Sequence, residues 1–133
     1  PTGGQTPMST ETNKAIVRRL WEEVWNQRKL TVCDEIFDDE YAAHEKGFAP
    51  VLLAAFPDLH FNIAELIAEE DKVVTRYTLT GTHQGEFMGI GATGRKVNVT
   101  CIWIHRLVDG RIVEGREWGE WDALGMMKQL GAL

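Results

Sequence analysis

Apolar residues recur every three or four positions through the first part of the chain. Ile16, Val17, Leu20, Trp21, Val24 and Trp25 fall on one face of a helix that Thr10 or Thr12 is placed to cap. Asn26-Gln27 ends that pattern. Residues 30–37 read as a second, short helix with Val32, Ile36 and Phe37 turned inward. Residues 48–56 read as a third, broken by Pro57-Asp58. From Leu59 the period changes to two, as in a half-buried strand, and residues 68–72 form a polar turn. Residues 73–82 are β-rich. A loop holding Gly85, Gly89, Gly91 and Gly94 leads to a long run over 96–108, and Asp109-Gly110 is the strongest hairpin signal in the chain. Residues 111–121 return antiparallel, and 123–130 close as a short apolar helix.

Helices first and strands afterwards define the α+β class rather than a doubly wound sheet. A curved sheet packed on one long helix leaves a concave pocket, a common place for a ligand. With Asp109-Gly110 as a two-residue turn, Leu107 faces Ile112, His105 faces Glu114, Trp103 faces Arg116 and Cys101 faces Trp118. One face then carries Val99, Cys101, Trp103, His105 and Leu107 with Ile112, Glu114, Arg116 and Trp118. The other carries Ile102, Ile104 and Arg106 with Val113, Glu117 and Trp121. Both faces are mixed, so the inner one stays open, and a bulge near Gly115 or Gly119 reverses everything beyond it. Residues 10–133 read as one domain. Residues 1–9 read as a disordered tail or a cloning leftover, with Met8 as a natural start and no signal-peptide pattern.

Composition narrows the function classes. With 44% hydrophobic and 26% charged residues the chain is globular rather than disordered. Lys plus Arg is 14 against 20 for Asp plus Glu, a net charge of −6, which speaks against nucleic acid or an anionic membrane as partner. No apolar run approaches the ~20 residues needed to span a bilayer. Cys33 and Cys101 are too far apart in sequence for a disulfide framework. They read as small buried hydrophobes in a reducing compartment, the cytoplasm. Six carboxylates between residues 34 and 45, with no Lys or Arg among them, read as a solvated helix end and loop. Asp38-Asp39-Glu40 are consecutive and point apart, so no metal site is expected.

The chemistry-bearing candidates lie on and around the long hairpin. Asp122 follows the last strand. It is either the N-cap of the closing helix or a carboxylate at the pocket mouth between Trp118 and Trp121, where apolar rings bring a carboxyl group into acid/base range. Trp103 joins these tryptophans as an apolar wall. His44, His83 and His105 are either structural or orient polar atoms of a substrate. The glycine-rich loop lacks the spacing of a phosphate cradle. The expected ligand is a small apolar or aromatic molecule.

Several segments together resemble the SnoaL-like polyketide cyclases. They are residues 13–26, Phe56-Pro57-Asp58-Leu59, Asp71-Lys72-Val73-Val74 with Arg76, residues 81–87, residues 93–97, residues 109–114, Trp121-Asp122 and residues 124–131. The resemblance runs in collinear order over about residues 13–131. It implies a nuclear transport factor 2-like fold, a cone of curved antiparallel sheet closed by N-terminal helices around an apolar pocket. It further implies an aldol-type ring closure that uses no cofactor and no metal. Asp122 matches the family's acid/base aspartate, and His44 and His83 match its histidines. Trp118, Trp121, Trp103, His105 and Arg76 are the companion substrate-binding candidates. By analogy with the fold a homodimer is expected. Two other enzyme chemistries of the fold are isomerisation and epoxide hydrolysis, the latter with Arg76 or Arg116 beside Asp122. A non-catalytic ligand-binding module is the third alternative. Residues 44–56 look shorter than in the family and residues 114–122 longer.

Overall fold

The computed structural model describes residues 9–133, so the expected tail lies outside the described residues except for Ser9. Ser9 is the first helix cap. Its hydroxyl accepts the Thr12 N–H at 3.0 Å, one position ahead of the expected Thr10. Helix α1 (Thr10–Arg19) runs on as a π-helical segment, Leu20–Asn26. Its wider turns keep Leu20, Trp21, Val24 and Trp25 all buried on the sheet side.

Asn26 closes this element onto the sheet. Its amide nitrogen donates to the Phe61 carbonyl at 2.9 Å and its oxygen accepts the Phe61 N–H at 2.8 Å. Asn26→Ala leaves both backbone groups without that partner, at about 1–3 kcal/mol for each group that water cannot reach. The expected result is a lower urea midpoint with an unchanged slope.

The expected helix over residues 30–37 is two pieces, a 3-10 turn at Leu30–Val32 and α2 (Cys33–Ile36). Phe37 is not helical but bridges to Ile112. The expected third helix is longer than its apolar half, because α3 runs unbroken over Asp39–Ala55. Asp38 caps it, accepting the Tyr41 N–H at 2.8 Å, and Asp39 and Glu40 sit in the first turn where the helix dipole favours acids. Asp38, Asp39 and Glu40 are therefore a helix start rather than a loop, while Asp34 and Glu35 lie on α2 and Glu45 lies within α3. Pro50 lies exposed within the helix. The buried stripe is Tyr41, Ala42, Glu45, Ala49 and Leu52.

The sheet is an antiparallel meander, β1 (His60–Glu69), β2 (Lys72–Thr82), β3 (Lys96–Val108) and β4 (Arg111–Glu114), with β5 (Gly119–Trp121) also on β3. The short helix α4 (Ala123–Gln129) follows. Ala64 is an extra residue in β1, since Ile63 pairs Tyr77 while Glu65 pairs Arg76. That bulge turns Leu66 rather than Glu65 inward. The β3–β4 turn is the expected one, with Asp109 and Gly110 at φ 48° and 80°, as a primed turn requires.

Beyond the turn the straight register fails. Leu107 pairs Ile112 as expected, but Arg106 pairs Glu114, and Cys101 pairs Trp121 instead of Trp118. One residue is absorbed in a bulge and two more in the excursion at residues 115–118. Two glycines make that path possible. Gly115 has φ 144°, and a Cβ there would stand 2.7 Å from the His105 ring. A Cβ at Gly119 would overlap the Trp103 ring. The exposed end of β3 is covered by α4, where the Gln129 side chain exchanges two hydrogen bonds with the Asn98 backbone at 2.7 and 3.0 Å.

Candidate active site

The concave face of the sheet and the N-terminal helices enclose a cavity of about 200 Å³. The π-helical segment supplies Leu20, Trp21 and Trp25. Helix α3 supplies Tyr41, Glu45, Phe48 and Leu52. The sheet supplies Phe61, Tyr77, Leu79, Val99, Cys101, Trp103, His105 and Trp121, and Phe87 and Met126 complete the wall. Alternation along β3 places Val99, Cys101, Trp103 and His105 on this face together, as the hairpin reading grouped them.

The aromatic rings pack on one another. Trp21 lies 4.4 Å from Tyr77 and 5.2 Å from Phe61 between ring centroids, and its indole N–H donates to the buried Thr75 hydroxyl at 3.1 Å. Trp103 stacks on His105 at 6.3 Å and donates its N–H to the Gly115 carbonyl at 2.6 Å. These bonds hold two indoles in fixed orientations and leave their ring faces to the interior.

Few polar groups reach the cavity, and burial shifts each of them. His105 is 1% exposed, and burial lowers its pKa to about 3, so the ring is neutral. Its Nδ1 has no hydrogen-bond partner. Glu45, one helical turn beyond Tyr41, is 9% exposed. Burial raises its pKa to about 7, against a smaller lowering by Arg116. The Tyr41 and Tyr77 hydroxyls are pushed well above their ordinary range, chiefly by burial, and the Cys101 thiol rises to about 11 for the same reason. Cys33 is likewise buried, at about 11. Each of these groups is uncharged near neutral pH except Glu45, which is divided between its two forms.

Of the residues singled out in the sequence, Trp103, His105 and Trp121 line this cavity. Trp118 does not. The register shift by three residues gives its expected place to Trp121, and Trp118 borders a shallow outer groove with Glu40 and Arg116. His44 is exposed and stacks on Phe48, because on α3 it lies one residue off the buried stripe. His83 is fully buried outside the cavity. Its Nδ1 accepts the Thr93 N–H at 3.2 Å and its backbone bonds Arg95 and Gly94, which ties down the glycine-rich loop. Arg76 points to the convex face, 2.9 Å from Glu65. Asp122 is exposed and caps α4, accepting the Gly125 N–H at 2.9 Å. With Arg76 it borders a groove on the outer side of the sheet. Neither Arg76 nor Arg116 lines the cavity beside a carboxylate pair. Among the described residues no three His, Cys, Asp or Glu side chains form a metal-binding group, and no helix is long and apolar enough to cross a membrane.

The sequence places Glu45 in a solvated acidic run, whereas the structure buries it to 9% exposure. The signal was the spacing Tyr41, Glu45, Ala49, Leu52, which puts a carboxyl group in the middle of a buried helical stripe. It is visible only if the helix is continued back through His44-Glu45-Lys46-Gly47.

Helices thus close the concave face of an antiparallel α+β sheet over an apolar, aromatic cavity. The profile of the SnoaL-like polyketide cyclases matches residues 15–130, and the chain belongs to that family. Among curated proteins it is 41% identical over 59 residues to the aklanonic acid methyl ester cyclase DnrD of Streptomyces peucetius, a match covering 44% of this chain and 39% of that protein. It is 38% identical over 61 residues to the aklanonic acid methyl ester cyclase AcmA of Streptomyces galilaeus, covering 46% and 41%. These matches thus span about two fifths of the curated relatives' length. Solved structures agree over nearly the whole chain. AclR from Streptomyces galilaeus, a candidate hydroxylase, superposes with a TM-score of 0.82 at 31% identity, covering 94% of this chain and 99% of that one. TsrD from Streptomyces laurentii gives 0.87 at 26% identity, covering 95% and 99%.

Proposed function

We propose that the protein is a cyclase-type enzyme. It carries out cofactor-independent acid/base chemistry, of the aldol ring-closing kind, on an apolar carbonyl-bearing molecule held in the aromatic cavity. One observation carries this reading: a half-open apolar chamber whose few polar groups are uncharged or near their titration point at neutral pH. Such a chamber favours a neutral substrate and strengthens any proton transfer within it. Its volume is below the ~300–1,000 Å³ of pockets that take drug-sized ligands whole. The reacting end of a polyketide therefore sits inside and the remainder lies across the rim, where Phe48 and Trp121 are 42% and 36% exposed.

Aklanonic acid methyl ester, the compound in the names of the curated relatives, is the first substrate to assay. A ring-closed isomer of unchanged mass is the expected product. A product one oxygen heavier supports hydroxylation instead, the reading favoured by the similarity to AclR. Tight binding with no product supports the binding-module alternative.

The resemblance gives the acid/base role to Asp122. Asn caps a helix about as well as Asp, so Asp122→Asn removes the charge and leaves α4 in place. Loss of turnover with ligand affinity kept assigns proton transfer to Asp122. Turnover in the wild-type range removes it from the mechanism, and the exposed carboxylate outside the cavity wall makes this the expected result. The homodimer stays part of the proposal, and the mass in solution checks it.

A further inference from the structure

Among the residues lining the cavity there is one carboxyl group, and it belongs to Glu45. Its neighbours along the buried face of α3 are Tyr41, Ala42, Ala49 and Leu52. No hydrogen bond or ion pair to another described residue holds it, although almost every other acidic side chain near a helix of this chain is a cap or sits beside a Lys or Arg. A carboxyl group on a residue only 9% exposed and without a partner works against folding and contributes nothing to packing that Leu or Met would not supply. Its placement is therefore explained by what enters the cavity.

We propose that Glu45 is the residue that takes the proton from the substrate carbon next to its carbonyl and then returns it. This rests on the acid/base reading above and assigns its proton carrier. The substrate class is a neutral aromatic ketone or keto ester bearing an acidic C–H. The Glu45 carboxylate accepts that hydrogen as a proton, and the C–H electron pair moves into the enolate. In ring closure the enolate carbon then bonds to a second carbonyl carbon, and the π pair of that carbonyl goes to its oxygen. Protonated Glu45 returns the proton to the new alkoxide. No atom is gained or lost, and the residue ends as it began.

The titratable groups that act on Glu45 or share the cavity with it fit this cycle. Tyr41 on α3, Tyr77 on β2, and Cys101 and His105 on β3 are uncharged near neutral pH, as is Cys33 on α2. Arg116, from the β4–β5 excursion, is the one cation acting on it. With its pKa near 7, Glu45 has both the accepting and the donating form present at neutral pH. A carboxylate at its ordinary value is seldom protonated there.

The test isolates the first proton transfer from ring closure. The neutral aromatic ketone 2-tetralone is incubated in D₂O with wild type, Glu45→Gln, Glu45→Asp and the exposed control Glu69→Gln, and exchange of its α-hydrogens is followed by NMR. Wild type should accelerate exchange, with a rate that rises through a limb near pH 7. Glu45→Gln should lower the rate about 10²–10⁴-fold and abolish the limb, and Glu69→Gln should match wild type. Glu45→Asp, which keeps the carboxyl group but withdraws it by one methylene, should fall between. It also keeps the test decisive if Glu45→Gln folds poorly. Exchange that is equal in wild type and both Glu45 variants, or absent in wild type, overturns the proposal. Exchange lost with Glu45 while aklanonic acid methyl ester is not cyclised leaves the proposal standing and refutes the ring-closing function instead.

Discussion

Raising the pH from 4.5 to about 8 should remove about 3 kcal/mol of stability contributed by Glu45, a loss that the Glu45→Gln variant does not share. The carboxyl pKa rises on folding from 4.5 to about 7. Between those values the folded chain binds a proton that the unfolded chain has released, so stability falls as pH rises through this window and is fully present only below it. His105 acts in the opposite sense. Its pKa falls on folding from 6.5 to about 3, so its contribution is complete above 6.5 and is lost as pH drops toward 3. Where the two windows overlap, the slopes oppose, and the wild-type stability curve is expected to be nearly flat. Removing Glu45 exposes the histidine alone. Urea midpoints of Glu45→Gln should be level above pH 6.5 and decline below it. Parallel curves for variant and wild type would show that Glu45 does not hold a proton in the folded state.

Trp21→Ala should destabilise the fold by about 3–5 kcal/mol. The indole is 5% exposed and packs on Phe61, Tyr77 and His105. Its loss enlarges the existing cavity rather than letting the walls close, since those walls are held by the sheet ladder and by the π-helical segment. The variant also removes the N–H donor from the buried Thr75 hydroxyl. Trp21→Phe restores most of the ring packing but not that bond and should cost about 1–2 kcal/mol. Denaturant midpoints of the two variants separate the packing contribution from the hydrogen bond.

Much of this architecture is legible in the residue order. The stripe from Ile16 to Trp25, the period-two runs of β2 and β3 and the Asp109-Gly110 turn each carry a local cause, and each appears where its cause places it. The collinear segments identified the family. The candidate site was legible only where alternation alone decides. Trp103 and His105 share the inner face because they are two apart on one unbroken strand. Trp121 and Trp118 exchanged places because the path between them depends on clearances around the Trp103 and His105 rings, which are tertiary contacts with no local signature. His44 drew attention as a histidine, whereas the neighbouring Glu45 faces the cavity. The difference is one helical position, and reading it required α3 to continue across the polar stretch before Pro50. Asp122 sits where the order of elements predicts, at the start of α4.

The excursion between β4 and β5 also sets a parity rule for length change. Side chains alternate along a strand, and three extra residues separate the straight hairpin register from the observed one. Adding one residue within 115–118 would therefore bring Glu120 to the cavity in place of Trp121, and removing one would bring Asp122 there. Removing or adding two would keep the same set of side chains facing the cavity but would move Gly119 from the place where a Cβ overlaps the Trp103 ring. Tolerated insertions and deletions in this stretch are expected to be those that the excursion absorbs, leaving Gly119 beside Trp103, and a single-residue deletion carried into β5 would put a second carboxylate where the rim now offers an aromatic ring.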